Sequence, residues 1–139
     1  MSLVSPARRL NLAEYFLERN LSDGRAEKVA LIATGSEIEI AAKAREALEA
    51  GGIGTRLVSL PSWELFGEQD AEYRASVLPK GLVKVAIEAA SPMGWERYIG
   101  SDGAFLGMTG YGASAPYQEL YRHFGLTPEA VVAAAKARL

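Results

Sequence analysis

Apolar and polar positions fall along this chain in blocks that predict a repeating strand–helix order. Residues 28–34 open with an unbroken apolar run, Val29 to Ala33, and stop at Thr34-Gly35-Ser36. Such a run, closed by a Gly-Ser turn, predicts a strand buried on both faces and feeding a helix. Residues 37–50 then carry Ile40, Ala41, Ala44, Ala47 and Leu48 on one helical side, with Glu39, Lys43, Glu46 and Glu49 on the other. Gly51-Gly52 predicts the end of that helix through a left-handed cap. Residues 55–60 read as a second strand halted by Pro61, and Ser62 as a cap for a turn over 63–66. A helix is predicted over 70–78, where Tyr73 and Val77 share a face.

The third apolar run, 82–89, contains Val83, Val85 and Ile87 and carries Glu88 near its end. Ser91-Pro92 reads as a cap followed by a first-turn proline, starting a short helix that Gly100 ends. Residues 104–108 predict a short core strand, and 111–115 a loop of small residues. Pro116 opens a helix bearing Tyr117, Leu120, Tyr121 and Phe124, closed by Gly125. Thr127-Pro128-Glu129 combines a cap, a first-turn proline and an acidic first turn, and predicts a last helix over 128–139. This alternation gives an α/β/α three-layer fold: a largely parallel sheet with helices on both faces. Ahead of it, residues 1–12 read as a tag or linker arm, with Met1-Ser2-Leu3 as an expression remnant. Residues 13–19 suit either a short helix or an edge strand, and 20–26 a turn.

Composition narrows the function classes. A length of 139 residues predicts one domain with a real core. The net charge of −2, from 15 basic and 17 acidic side chains, supplies no basic face for nucleic acid. No apolar run reaches the length of a membrane span, and no secretory leader is expected at the N-terminus. Without cysteine there is no disulfide, thiolate nucleophile or cysteine metal site, which suits a cytoplasmic setting. The single histidine, His123, excludes a multi-histidine zinc site. It sits on an amphipathic helix with no nucleophile near it by motif, so it reads as a surface residue rather than a base.

The candidate chemistry lies at the exit of the first apolar run. Thr34, Gly35 and Ser36 form a turn before a helix, with Ser36 as its N-cap, and free N–H groups there suit an anion. The same turn serves equally as a structural corner, because the spaced glycines of a phosphate loop are absent. Glu88 ends a buried strand and needs a partner or an open mouth. It either faces a cleft with Gly35 and Ser36, or takes N–H bonds from the Ser91 turn or pairs with an arginine. The small-residue stretch holding Met108, Tyr111, Ser114 and Pro116 reads either as a close-packed interface or as an ordinary loop.

Several segments in collinear order resemble the C-terminal domain of transketolase. They are Ile32-Ala-Thr-Gly-Ser-Glu37, Val58-Ser-Leu-Pro-Ser62, Gln69-Asp-Ala-Glu-Tyr-Arg-Ala-Ser-Val-Leu-Pro79 and Val85-Ala-Ile-Glu-Ala89. Trp95-x-x-Tyr98-Ile-Gly100, Gly107-Met-Thr-Gly-Tyr-Gly-Ala-Ser-Ala-Pro116 and Leu120-Tyr-x-x-Phe124-Gly-Leu-Thr127 complete the set, over residues 13–139. The resemblance implies a five-stranded mixed sheet of order 1-3-2-4-5. Its first strand is antiparallel and lies at Glu14-Tyr-Phe-Leu17. The turn at Thr34-Gly35-Ser36 then marks the topological switch point, where open α/β sheets hold ligands.

The resemblance also implies a parent enzyme of the pentose phosphate pathway. That parent moves a two-carbon ketol unit from a ketose phosphate to an aldose phosphate, using thiamine diphosphate and a divalent metal held by preceding domains. No catalytic, cofactor-binding or metal-binding residue carries over to this chain. It reads as a non-catalytic assembly module whose partners are the remainder of the parent and, in the parent, a second subunit. The alternative is a regulatory module binding a small anion or nucleotide at Gly35-Ser36, with Glu88 and Ser91 nearby.

Overall fold

The computed structural model describes residues 26–139. Strand β1 (Glu27–Ala33) is fully buried from Val29 onward, as its unbroken apolar composition requires of a central strand. It pairs in parallel with β2 (Gly54–Ser59) on one side and with β3 (Val83–Ile87) on the other. A short β4 (Ala104–Leu106) extends the sheet beyond β3, giving the order β2-β1-β3-β4. All four strands among the described residues are parallel. The antiparallel strand expected at Glu14–Leu17, and the ambiguous stretch around it, lie outside the described residues.

Period-two alternation divides the strands between two cores. Val29, Leu31 and Ala33 of β1, with Val85 and Ile87 of β3, face helix α1 (Glu37–Ala50) and helix α6 (Pro128–Lys136). Leu48, Leu126 and Val131 close that layer. Ile32, Val58 and Ala86 point to the opposite face, where Leu60 and Trp95 complete a second core. Helices α2 (Trp63–Glu68), α3 (Ala71–Val77) and α4 (Glu96–Ile99) follow the chain on that side. Trp63, Val77 and Tyr98 pack against the second core. The remaining helix, α5 (Tyr117–His123), sends Tyr121 onto the first core. Helices therefore cover both faces of the sheet.

Caps explain most element boundaries. Thr127 accepts from the Ala130 N–H at 3.2 Å, with Pro128 in the first turn, and so starts α6. Ser62 accepts from Leu65 N–H, and Asp70 from Tyr73 N–H at 2.7 Å, starting α2 and α3. The turn expected over 63–66 is thus a full short helix. Gly52 takes a left-handed φ of 80° while Ile53 N–H returns to the Leu48 carbonyl at 3.0 Å, which ends α1.

Three local expectations fail. Ser91-Pro92 does not begin the short helix: α4 starts at Glu96 behind Trp95, and Ser91 Oγ only accepts from the Met93 N–H at 3.3 Å. Gly94, at φ 86°, separates the two turns. On α1, Ala47 is exposed while Glu37 and Arg45 are buried. Arg45 reaches across to donate to the Thr55 carbonyl at 2.9 Å, so the buried stripe is wider than its apolar residues suggest. Strand β4 ends at Leu106 rather than 108, because the chain there leaves the ladder toward Ala90.

Candidate functional site

The site at the strands' C-terminal end is assembled by β1, β3, α1 and α5. Thr34 follows β1 and Glu88 follows β3, in neighbouring parallel strands, so their side chains leave the sheet side by side. The Thr34 hydroxyl donates to Glu88 Oε2 at 2.5 Å. Glu88 neither pairs with an arginine nor takes an N–H from the Ser91 turn among the described contacts. Its carboxyl stands above the ordinary range, mainly because burial disfavours the charge and with help from Glu37, while the Thr34 bond acts in the opposite direction.

Ser36 does not cap α1. Its backbone is already helical (φ −68°, ψ −25°) and its side chain makes no cap bond. Its Oγ lies 2.8 Å from Tyr121 Oη and 3.3 Å from Glu37 Oε2. The first turn closes instead through backbone bonds, Ile38 N–H to the Gly35 carbonyl and Glu39 N–H to the Ser36 carbonyl, each at 3.3 Å. Gly35, at φ 50°, permits that tight entry.

Glu37 ties the arrangement together and was not singled out from the sequence. It is 5% exposed. Its Oε1 accepts from Tyr121 Oη at 3.1 Å and from the Ala89 N–H at 3.3 Å. Burial is the first cause that raises the Tyr121 phenol above its usual range, so it stays protonated and donates. The signal available in the sequence was a glutamate in the first turn of an otherwise apolar-facing helix. Nothing in the sequence linked it to a tyrosine 84 positions away.

The candidate residues separate between two cavities. Thr34, Glu88 and Ser91 line one of about 410 Å³, walled by Trp63, Met93 and Trp95. Gly35 and Ser36 open onto another of about 650 Å³, between α1 and the α5–α6 corner, with Tyr117, Tyr121 and Leu126 among its walls. His123 is exposed and packs edge-on against Phe124 at 4.8 Å between ring centroids. In the small-residue stretch, Met108 is half-buried and its N–H reaches the Ala90 carbonyl at 2.9 Å. Tyr111 is wholly exposed, and Ser114 and Pro116 are exposed too.

This arrangement can share protons among hydroxyls and carboxyls, but it positions no activated nucleophile. The donor set does not fit a divalent metal: no group of three or more His, Asp or Glu side chains among the described residues converges on one point. No helix among them is long and apolar enough to cross a membrane.

Comparison with known proteins gives one consistent result. A family model described as "Transketolase-like TK C-terminal domain" matches residues 14–127. Transketolase 10 of Craterostigma plantagineum is 51% identical over 123 residues, covering 88% of this chain and 18% of that protein. Transketolase of Rhodobacter capsulatus is 50% identical over 124 residues, covering 85% of this chain and 18% of that protein. The transketolase structure from Leishmania mexicana superposes with a TM-score of 0.75 at 42% identity, over 81% of this chain and 16% of that one. The chain thus spans under a fifth of the length of these relatives.

Proposed function

The chain belongs to the transketolase C-terminal domain family, and on that premise we infer that it is the assembly domain of a longer transketolase, with the chemistry carried elsewhere in the parent. The observation behind this reading is the match at about half identity to only 18% of a transketolase's length. In the parent, a two-carbon ketol unit passes from a ketose phosphate to an aldose phosphate, in the pentose phosphate pathway. Thiamine diphosphate and a divalent metal supply that chemistry when bound to the remainder of the enzyme. This chain's residues pack, present a surface and hold the sheet's end closed.

The exposed stretch at Tyr111, Ser114 and Pro116 is the surface offered to the remainder of the parent or to a second subunit. A fully exposed tyrosine in a small-residue loop suits burial against another body. Cytoplasmic residence is the setting that the cysteine-free composition favours.

A direct assay tests the non-catalytic reading. The purified chain is mixed with thiamine diphosphate, magnesium, a ketose phosphate and an aldose phosphate, and product is followed by chromatography. No ketol transfer is expected; turnover above a no-protein blank would refute the reading. The assembly role is tested separately, by whether Tyr111→Asp reduces capture of the parent's remaining domains supplied as a second chain. Unchanged capture would remove Tyr111 from the interface.

The regulatory alternative, a small anion or nucleotide at Gly35-Ser36, has the 650 Å³ cavity and the cations Lys43 and Arg122 on its walls in its favour. Against it, Lys43 is bound to Glu39 at 2.6 Å, and Ser36 is engaged by Tyr121 and Glu37. Carboxyl groups beside the turn repel an anion. Calorimetry with Ser36→Ala tests this alternative: lost binding would restore it.

A further inference from the structure

A third cavity, of about 620 Å³, lies on the face of the second core. Lys84, the second residue of β3, and Gly100, before β4, both line it, so it sits toward the N-terminal ends of the strands. It shares the Trp63 wall with the cavity of Thr34 and Glu88 and extends from there toward the other end of the sheet. Its volume falls within the roughly 300–1,000 Å³ of small-molecule sites.

The lining has two parts. Trp63, Phe66 and Tyr98 supply half-buried aromatic surface, with ring centroids 5.1 Å apart for Trp63–Tyr98 and 6.0 Å for Phe66–Tyr98. Arg74, Lys80, Lys84 and Arg97 supply positive charge, and no carboxylate among the described residues lines the cavity. Arg74, Lys80 and Arg97 are exposed, placing their charges at the rim. None of the four forms an ion pair among the described residues, unlike Lys43 with Glu39 or Arg56 with Glu27.

Cations gathered around a low-dielectric wall focus a positive potential into the cleft. Guanidinium groups bind phosphate oxygens in pairs, and lysines add point charges. Aromatic surface beneath them rewards a flat ring, since stacking requires no sequence of hydrogen bonds. The chemistry that satisfies both parts is a polyanion joined to a planar ring. We propose that this cavity binds a nucleoside polyphosphate, with its phosphates on Arg74, Lys80, Lys84 and Arg97 and its base over the Trp63–Tyr98 cluster. This assignment is independent of the assembly reading and lies away from the Gly35-Ser36 turn.

The test is calorimetric titration of the 139-residue chain with ADP at low salt, with ribose 5-phosphate and inorganic phosphate as comparison ligands. Tryptophan fluorescence is read in parallel. Saturable binding of ADP is expected, tighter than that of either comparison ligand, with a change in tryptophan emission. Arg97→Glu and Arg74→Glu, both at exposed positions and checked for folding by circular dichroism, should each weaken ADP about tenfold or more. Ser36→Ala should leave ADP binding unchanged. No saturation by about 1 mM ADP, or wild-type affinity in both charge-reversed variants, would overturn the proposal. Equal affinity for ADP and inorganic phosphate would also overturn it, since the rings would then contribute nothing. Loss of binding in Ser36→Ala alone would move the site to the switch point.

Discussion

Replacing Arg56 by methionine probes a buried charge that joins three elements of the fold. Arg56 leaves β2 and its Nε and Nη2 both reach Glu27 Oε2 at 2.8 Å. Both side chains are 8% exposed. Nη1 donates to the Val77 carbonyl at 2.8 Å and also to that of Ser76, at the end of α3. One guanidinium therefore joins β1, β2 and α3. Methionine keeps the apolar stem but strands the Glu27 carboxylate, whose Oε1 already lacks a hydrogen-bond partner. Breaking a buried pair from one side costs about 3–5 kcal/mol. A domain of this size holds only about 5–15 kcal/mol in total. Urea unfolding followed by tryptophan emission should show a loss in that range, with a melting temperature lower by about 10 °C. The double variant Glu27→Leu/Arg56→Met should recover most of the loss, because no buried charge is left alone. A loss under about 1 kcal/mol in Arg56→Met, or a double variant no more stable than the single, would refute the reasoning.

At the sheet's C-terminal end, the raised Glu88 carboxyl fixes a sign. A group whose folded pKa is raised binds its proton more tightly when folded, so its stabilising contribution is complete below the unfolded value and is lost as pH rises through the folded one. Glu88→Gln should therefore stabilise the chain at pH 7 relative to pH 4, and equal shifts in melting temperature at both would refute this. Tyr121→Phe removes the donor to buried Glu37 and should cost about 1–2 kcal/mol in urea unfolding, with an undiminished midpoint as the contrary result. At Gly107 an added Cβ would meet the Ala90 carbonyl oxygen at 2.7 Å and the Phe105 ring closer still. Gly107→Ala should cost at least about 1 kcal/mol, against the roughly 1 kcal/mol gain expected of an unhindered Gly→Ala change, and a gain in stability would refute the close approach.

The fold was legible where a local cause acts alone. The unbroken run at Val29–Ala33 marks a strand buried on both faces, and Thr127-Pro128-Glu129 marks a helix start. Ser62 and Asp70 cap as their side chains suggest. Ser36 and Ser91 failed as helix caps because tertiary partners and backbone geometry outweigh a cap bond worth about 1 kcal/mol. A hydroxyl within 2.8 Å of Tyr121 has a better use than its own helix, and Gly94 breaks the chain before α4 can begin at Ser91. The pairing of Thr34 with Glu88 was half legible. Both positions were marked, but only the parallel register of β1 with β3 brings them together.

What the sequence concealed is which end of the sheet offers chemistry to a ligand. The switch point draws attention because open α/β sheets bind there. In this chain Thr34 donates to Glu88, Ser36 meets Tyr121, and Tyr121 donates to Glu37. These polar groups engage one another, and Glu37 and Glu88 place carboxyls beside the turn. A ligand arriving there must displace bonds already made, at roughly the cost of each bond lost. Toward the other end, Arg74, Lys80, Lys84 and Arg97 hold no carboxylate partner among the described residues and surround half-buried rings. The four come from α3, the turn before β3, β3 itself and α4, so no run of charge in the sequence announces them. Their grouping depends on tertiary structure alone. An incoming polyanion would gain bonds there without breaking any, which favours that end for binding.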